Sequence, residues 1–324
     1  MKFLAAFLLI TTVALTYAID KAISQPDPKF IESSSGDPEI TVKLNPRHPE
    51  AYVRRGDWKV SVSRGDVRGA LDDYNQAIKL NPNYTRAYRS RGDLKAAKLN
   101  DTQGGLADYD LAIKLAPKDE FIYRSRAKFK VEKLQDIQGA LADYNQAVKF
   151  APDNTDVYLS RAKFKADKLN DFQGALTDYN QAIKLSPKYE YSYIDRGKLK
   201  ADKLNDFQGA LADFDRVISL LEHERNDTGN KYTLSNTYHH RGKLKADKLK
   251  DFQGALSDFN QAITLDYEFT DAYQSRGQLK YTKLNNRLGG IEDVRKAADL
   301  AEKNQESKYL IDTQKLLKSW GVTK

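Results

Sequence analysis

The chain has no cysteine among its 324 residues. That absence removes disulfides, zinc–thiolate sites, thiol nucleophiles and lipid attachment through a thiol. It leaves the redox compartment open, because an exported protein can simply avoid thiols. Histidine is nearly as scarce, with four in all and His239–His240 as the sole cluster. Neighbours on a helix point to different faces, so this pair reads as surface residues and not as a metal site. Beyond the amino terminus no apolar run is long enough to cross a bilayer. No phosphate-cradling glycine loop, HExxH or GxSxG string occurs. Neither sign of charge dominates: 53 Lys and Arg against 45 Asp and Glu leave a net +8. Acids and bases alternate, as in "KADKLND", whereas a nucleic-acid binder would gather its bases on one face. No nucleic-acid partner is expected.

The one apolar run opens the chain. "MKFLAAFLLITTVALTYAID" carries Lys2 and then no charge until Asp20. A basic start, an apolar stretch from Phe3 to Leu15, and small residues at Thr16 and Ala18 read as a secretory signal peptide, residues 1–18. The rival reading is an uncleaved anchor over residues 3–19, a stretch at the bottom of the spanning range and diluted by Thr11, Thr12 and Thr16. The expected location is therefore exported (periplasm, lumen or extracellular), or membrane-anchored by residues 3–19. A membrane is a partner only in the second case. Residues 19–48 are rich in Pro, Ser and Asp and read as a linker. Their ending "VKLNP" echoes the later "IKLNP" at Ile78–Pro82, so they also read as a degraded repeat.

Beyond residue 48 the chain is periodic. The tyrosine of a "YxxRG" or "YxxRA" phrase falls at 52, 88, 123, 158, 193, 238 and 273, in steps of 36, 35, 35, 35, 45 and 35 residues. Each copy holds two amphipathic helices, for example Thr155–Leu169 and Phe172–Leu185. Tyr158, Arg161, Ala162 and Lys165 share a stripe of the first; Ala175, Tyr179 and Ala182 share one on the second. Between them stands an N-cap residue: Asp66, Asp101, Asp136, Asp171, Asp206, Asp251 or Asn286. Proline at 82, 117, 152 and 187 cannot extend the second helix. One such pair cannot bury both faces, so each copy needs a neighbour to stack upon.

Tyr158, Ala162, Ala175, Tyr179, Ala182 and Pro187, in that order and spacing, resemble the tetratricopeptide repeat. The wording "RG…GALxDYNQAIKLNP" is similar to repeats abundant in cyanobacteria. The resemblance covers residues 49–302. It implies an all-α fold: a right-handed α-solenoid of seven helix-turn-helix repeats with a carboxyl-terminal capping helix. The copies are about 49–82, 83–117, 118–152, 153–187, 188–222, 233–267 and 268–302, and the capping helix is 303–324. Most copies depart from the family by one extra residue before the Leu of "KL", which bears on the twist between helices. The last three lack the proline.

Two columns go beyond the family pattern. Arg55, Arg91, Arg126, Arg161, Arg196, Arg241 and Arg276 are matched, 17 or 18 residues later, by Asp73, Asp108, Asp143, Asp178, Asp213, Asp258 and Asp293. Acids matched to bases in every copy predict Arg–Asp pairs that tie helix to helix, and a paired carboxylate is held ionised and unsuited to acid–base work. Glycine recurs at 69, 104, 139, 174, 209, 254 and 289 despite its cost in a helix; close approach to a neighbouring helix is the expected reason. The segment "EHERNDTGNKY" (Glu222–Tyr232) accounts for the long step and reads as a bulging loop. Tyr309, Leu310, Thr313, Leu316, Leu317 and Trp320 form the apolar stripe of the capping helix.

A catalytic site appears once, whereas these features appear in every copy, so no enzyme, cofactor or metal is expected. In the family resembled, the first helices line a concave groove for a partner's peptide. Here that column holds Asp57, Asp93, Lys128, Lys163, Lys198, Lys243 and Gln278, with Glu132, Asp167, Asp202 and Asp247 one turn on. Lys128, Lys163, Lys198 and Lys243, with Arg89 and Arg124, are the candidate partner-binding residues. Four lysines in line suit an acidic partner; i,i+4 pairing with the acids would instead cancel their field. The chain thus reads as an exported, non-enzymatic scaffold that binds a protein or peptide in this groove. The alternative is a membrane-anchored structural or complex-assembly factor.

Overall fold

The computed structural model describes residues 37–61, 65–224 and 227–322. The segment read as a signal peptide or anchor lies outside the described residues. All regular structure among the described residues is helical, and no described helix is long and apolar enough to cross a membrane. The chain divides into two compact units, one ending at Gln135 and one starting at Asp136.

In the first unit a short helix α1 (Pro38–Leu44) precedes the pairs α2 (Pro49–Ser61) with α3 (Val67–Leu80) and α4 (Thr85–Leu94) with α5 (Thr102–Leu115), and then α6 (Glu120–Phe129). The second unit holds α7 (Ile137–Phe150), the pairs α8 (Thr155–Phe164) with α9 (Phe172–Leu185), α10 (Glu190–Leu199) with α11 (Phe207–Leu221), α12 (Thr228–Leu244) with α13 (Phe252–Leu265), and α14 (Thr270–Thr282) with α15 (Arg287–Lys303), and finally α16 (Ser307–Ser319). Within each unit the helices stack in chain order, as in an α-solenoid.

The extra residue of each repeat has a definite place. Helices α4, α6, α8, α10 and α12 run on into a five-residue π turn: Lys95–Leu99, Lys130–Leu134, Lys165–Leu169, Lys200–Leu204 and Lys245–Leu249. A π turn closes on the fifth residue back, so it absorbs one residue without breaking the helix. The next residue leaves in the left-handed region, at φ 53 for Asn170 and 55 for Asn205, where Asn is better tolerated than most side chains. The N-cap aspartate follows at once.

Every predicted cap forms. Asp171 accepts from the Gly174 N–H at 2.9 Å, and the same bond recurs from Asp66 to Asn286. This corrects the expected reason for the glycine column. The three atoms a Cβ at Gly174 would meet first all belong to the Asp171 carboxylate. These glycines make room for the cap. Close helix approach belongs instead to the small residues after the arginines, where a Cβ at Gly197 would stand 2.9 Å from the Phe214 ring.

Six of the expected Arg–Asp pairs lie within one unit, and all six form. Arg161 grips both Asp178 carboxylate oxygens through its Nε and Nη2, at 2.9 and 2.7 Å, and Lys165 completes the cluster 2.8 Å from the same carboxylate. The remaining Arg161 edge reaches Asn145 of the preceding helix α7 at 3.0 Å. Asn75, Asn180 and Asn260 serve Arg91, Arg196 and Arg276 in the same way. Each arginine therefore ties its own two helices together and both to the repeat before. Glu39 of α1 takes this place for Arg55, at 2.8 Å, so Pro38–Leu44 stands where a preceding repeat's second helix would.

The long step between Tyr193 and Tyr238 is largely helical, which corrects the expected loop. After a 3₁₀ turn at Glu222–Glu224, Asp227 caps α12 by accepting from the Gly229 and Asn230 N–H groups. The cap lets the helix start two turns early, so α12 has 17 residues where α10 has 10. At the far end α16 closes the second unit as its stripe predicts. Thr313 and Leu317 are buried, Tyr309 bonds Asp271 at 3.0 Å, and Trp320 stacks on Tyr281 with ring centroids 3.8 Å apart.

Candidate functional site

In the second unit three cavities follow one another, each between consecutive first helices and floored by an aromatic residue of the second helix between them. The first, about 260 Å³, lies between α8 and α10 over Tyr179, with Lys163, Asp167, Asp195, Lys198 and Asp202 on its walls. The next, about 220 Å³, lies between α10 and α12 over Phe214; it shares Lys198 and Asp202 and adds His240, Lys243 and Asp247. The third, about 480 Å³, is bounded by α12, α14 and α16 over Phe259, shares Lys243 and Asp247, and adds Gln274, Gln278 and Lys308. The shared walls join the three into one trough. The first unit repeats the plan between α2 and α4, with Asp57, Ser90 and Asp93 around a cavity of about 230 Å³ over Tyr74.

Of the candidate column, Asp57, Asp93, Lys163, Lys198, Lys243 and Gln278 line these cavities and Lys128 does not, and its residues differ in what they do. Lys163, Lys198 and Lys243 line the trough of the second unit. They make no ion pair with Asp167, Asp202 or Asp247, although the spacing is i,i+4. The π turn explains this: it takes more residues per turn than an α-helix, so the acid falls out of line with the lysine. Of the two readings left open by the sequence, the i,i+4 pairing does not form here, and both signs line the trough. Lys128, in the first unit, reaches the longer Glu132 at 3.9 Å and is exposed. Arg124 is engaged with Glu120 at 2.9 Å. Arg89 and Arg124 both sit against Phe121, 5.8 and 4.8 Å from the ring centroid, so these two form a cluster of their own.

The floor varies from copy to copy. The Tyr74 hydroxyl donates to Asp57 at 2.8 Å, and Tyr109 to Asp93 at 2.5 Å. Burial raises the Asp93 carboxyl above its ordinary range, against the hydrogen bond from Tyr109 and the nearby Arg89 and Lys128. At Tyr179 the column residue is Lys163, and the hydroxyl has no hydrogen-bond partner among the described residues. Burial, then Asp195 and Asp167, push this phenol upward. Asp195 is half-buried and also lacks a hydrogen-bond or ion-pair partner among the described residues. Burial raises its carboxyl, opposed by Lys198 and Lys163.

The histidines are not the surface pair expected. His239 is buried, with its Nε2 3.0 Å from Ser275 Oγ and its ring against Phe259 and Phe269. His240 stacks on Phe214. Burial first, and then nearby Lys243 and Lys198, lower His239 to about 4. Burial, with Lys198 next, lowers His240 to about 3. Both are neutral near pH 7. No group of three or more His, Asp or Glu poised to hold a metal ion occurs among the described residues.

Sequence reasoning missed the aromatic floor and the residue just before each column arginine, which faces the cavity: Ser90, Asp195, His240 and Ser275. The signal was present as the one first-helix position beside the arginine that changes chemical class between copies.

The family model described as "TPR repeat" matches residues 59–98. No curated protein matches the chain. Among solved structures, yeast Tom70 superposes with a TM-score of 0.60 at 22% identity, over 86% of this chain and 56% of Tom70. A tetratricopeptide repeat protein from Parabacteroides merdae gives 0.55 at 18%, over 82% of this chain and 98% of that one. A monomeric IFIT1 mutant solved with m7Gppp-AAAA gives 0.59 at 16%, over 86% and 66%. These likenesses concern the fold. With the matched repeat and the same cap, aromatic and small-residue columns recurring through both units, the chain has the fold of the tetratricopeptide-repeat proteins.

Proposed function

We propose that this protein is a non-enzymatic scaffold that holds a peptide segment of a partner protein in the trough of the second unit, and that it acts outside the cytoplasm after removal of residues 1–18. The observation that carries the binding role is the run of three joined cavities whose lysines and aspartates are left unpaired by the π turns. Unpaired charges beside an apolar floor favour a ligand that supplies partners for both, and a peptide does so through its side chains and backbone. A capped RNA of the kind crystallised with IFIT1 would meet Asp167, Asp195, Asp202 and Asp247 as well as the lysines, and like charges at close range repel it.

A photo-cross-linking residue at Ala166 tests the binding role, with one at the exposed Thr177 of α9 as the control surface. Cross-links to a partner protein from position 166 and not from 177 are expected; equal labelling from both removes the trough as the site. The location is tested by amino-terminal sequencing. A start near Ile19 in a soluble exported fraction is expected, and Met1 in a membrane pellet would favour the anchored assembly factor.

A further inference from the structure

The trough restricts the conformation of its ligand as well as its charge. Consecutive first helices touch directly: His239 on α12 meets Ser275 on α14 at 3.0 Å, and Tyr191 on α10 meets Thr233 on α12 at 3.5 Å. Helices in contact have axes about 8–10 Å apart, so the cavities recur at roughly that step. Each step presents the same three features: a lysine, an aromatic floor and an aspartate. These are Lys163, Tyr179 and Asp167 in the first cavity and Lys198, Phe214 and Asp202 in the second.

A ligand that repeats with this step must bring equivalent side chains round every 9 Å or so. A β-strand returns to the same face about every 7 Å, which drifts out of register within one repeat. Polyproline II has three residues per turn and a rise of about 3.1 Å, hence a turn of about 9 Å, and it offers three faces. An α-helix can match the step with every seventh residue, but its backbone groups are bonded internally. The Tyr179 hydroxyl and the half-buried Asp195 carboxylate lack partners among the described residues. A polyproline II backbone leaves its N–H and C=O groups free to supply both.

We infer, resting on the scaffold reading above, that the trough of the second unit takes a polyproline II segment with a three-residue period. One residue of each triplet, proline or a small apolar residue, lies on the aromatic floor. The next, acidic, faces Lys163, Lys198 or Lys243, and the third, basic, faces Asp167, Asp202 or Asp247. The π turn is what makes this possible, because an α-helical turn would let each lysine pair with its own aspartate and close the site. The extra residue in the repeat is thereby a specificity device.

The test uses the full chain and two labelled nine-residue probes of equal composition: three Pro-Glu-Lys triplets, and a block peptide of three Pro, three Glu and three Lys. Fluorescence anisotropy at low ionic strength is expected to show saturable binding of the triplet peptide, at least tenfold tighter than the block peptide. Reversing one ladder (Lys163→Glu, Lys198→Glu, Lys243→Glu) is expected to weaken the triplet at least tenfold. Adding Asp167→Lys, Asp202→Lys and Asp247→Lys exchanges both ladders and is expected to restore binding, since the segment can lie the other way round. Equal binding of the two peptides, or indifference to the single-ladder reversal, overturns the inference. Cross-links from position 166 to a partner that excess triplet peptide does not displace overturn it too, while leaving the scaffold reading intact. Absence of trough cross-links overturns both.

Discussion

Asp178 sits where two cations converge, and its removal is the sharpest test of what holds the repeats together. It is 3% exposed, accepts from Nε and Nη2 of Arg161 at 2.9 and 2.7 Å, and lies 2.8 Å from Lys165. Asp178→Ala leaves Arg161 and Lys165 facing each other in a largely buried site, so a cost of about 3–5 kcal/mol is expected. Arg161→Ala should cost less, about 2–3 kcal/mol, because Lys165 still neutralises the carboxylate and what is lost includes the single bond to Asn145. The double variant should cost much less than the sum, since with both gone no uncompensated charge pair remains. Urea unfolding followed by circular dichroism gives the four corners of the cycle, and exchange protection of the α8 and α9 amides shows that the loss is local. Because the cluster is buried, the coupling should survive roughly 0.5 M salt, where an exposed pair would be screened. Additive effects of the two substitutions would refute the reasoning, as would a cost for Asp178→Ala no larger than the ~0.5 kcal/mol of an ordinary surface change.

Acidification should weaken the second unit through its histidines. His239 falls from 6.5 to about 4 and His240 to about 3 on folding, so the unfolded chain binds more protons and stability, full above pH 6.5, declines as pH falls towards 4, by about 2 kcal/mol per histidine at pH 5. Thermal melts across this range check it, and a His239→Asn, His240→Asn chain should show a flatter profile; an equally steep one would rule the pair out as the cause. Gly174→Ala should destabilise by about 1 kcal/mol although alanine is the better helix former, because the new Cβ displaces the Asp171 cap. In an Asp171→Ala background the same change should become stabilising, and urea midpoints that stay depressed would contradict the local explanation. Deleting 228–232 should remove the first turns of α12 and lower helicity by circular dichroism, whereas an unchanged spectrum would restore the loop reading.

The fold was legible because repetition averages out local ambiguity. Seven copies of Tyr, small residue, Ala and aromatic left one way to pair the helices, and Arg161 with Asp178 could be matched across 17 residues by counting alone. The failures occurred where one cause looks like another in a string of letters. Gly174 signals tight space, but only the folded chain shows that the space is filled by Asp171 three residues away instead of a neighbouring helix. His239–His240 looked like surface because adjacent residues diverge on a helix, yet α12 is flanked so closely by Phe259, Phe269 and Phe214 that both directions are covered. The candidate lysines lie on the first helices. Whether they pair with the acids one turn on was not legible, because i,i+4 reasoning presumes an α turn and the extra residue made a π turn.

The features that are alike in every copy cannot by themselves choose a partner. A ladder of identical lysines and aspartates would bind a periodic segment equally well shifted by one repeat. The trough breaks this degeneracy at the floor, where Tyr179 gives way to Phe214 and Phe259, and most sharply at the residue before the arginine. It is Asp195 in the first cavity, His240 in the second and Ser275 in the third. A ligand group that donates to the Asp195 carboxylate would, one repeat along, meet the neutral His240 ring stacked on Phe214, and two along, a serine already near His239. Each shift exchanges a half-buried acceptor for a group that leaves the donor poorly satisfied, a loss of about 1–3 kcal/mol per step. The arginine and aspartate columns therefore build a periodic frame, and on the proposed groove reading the columns that depart from the period would set where along that frame a segment rests.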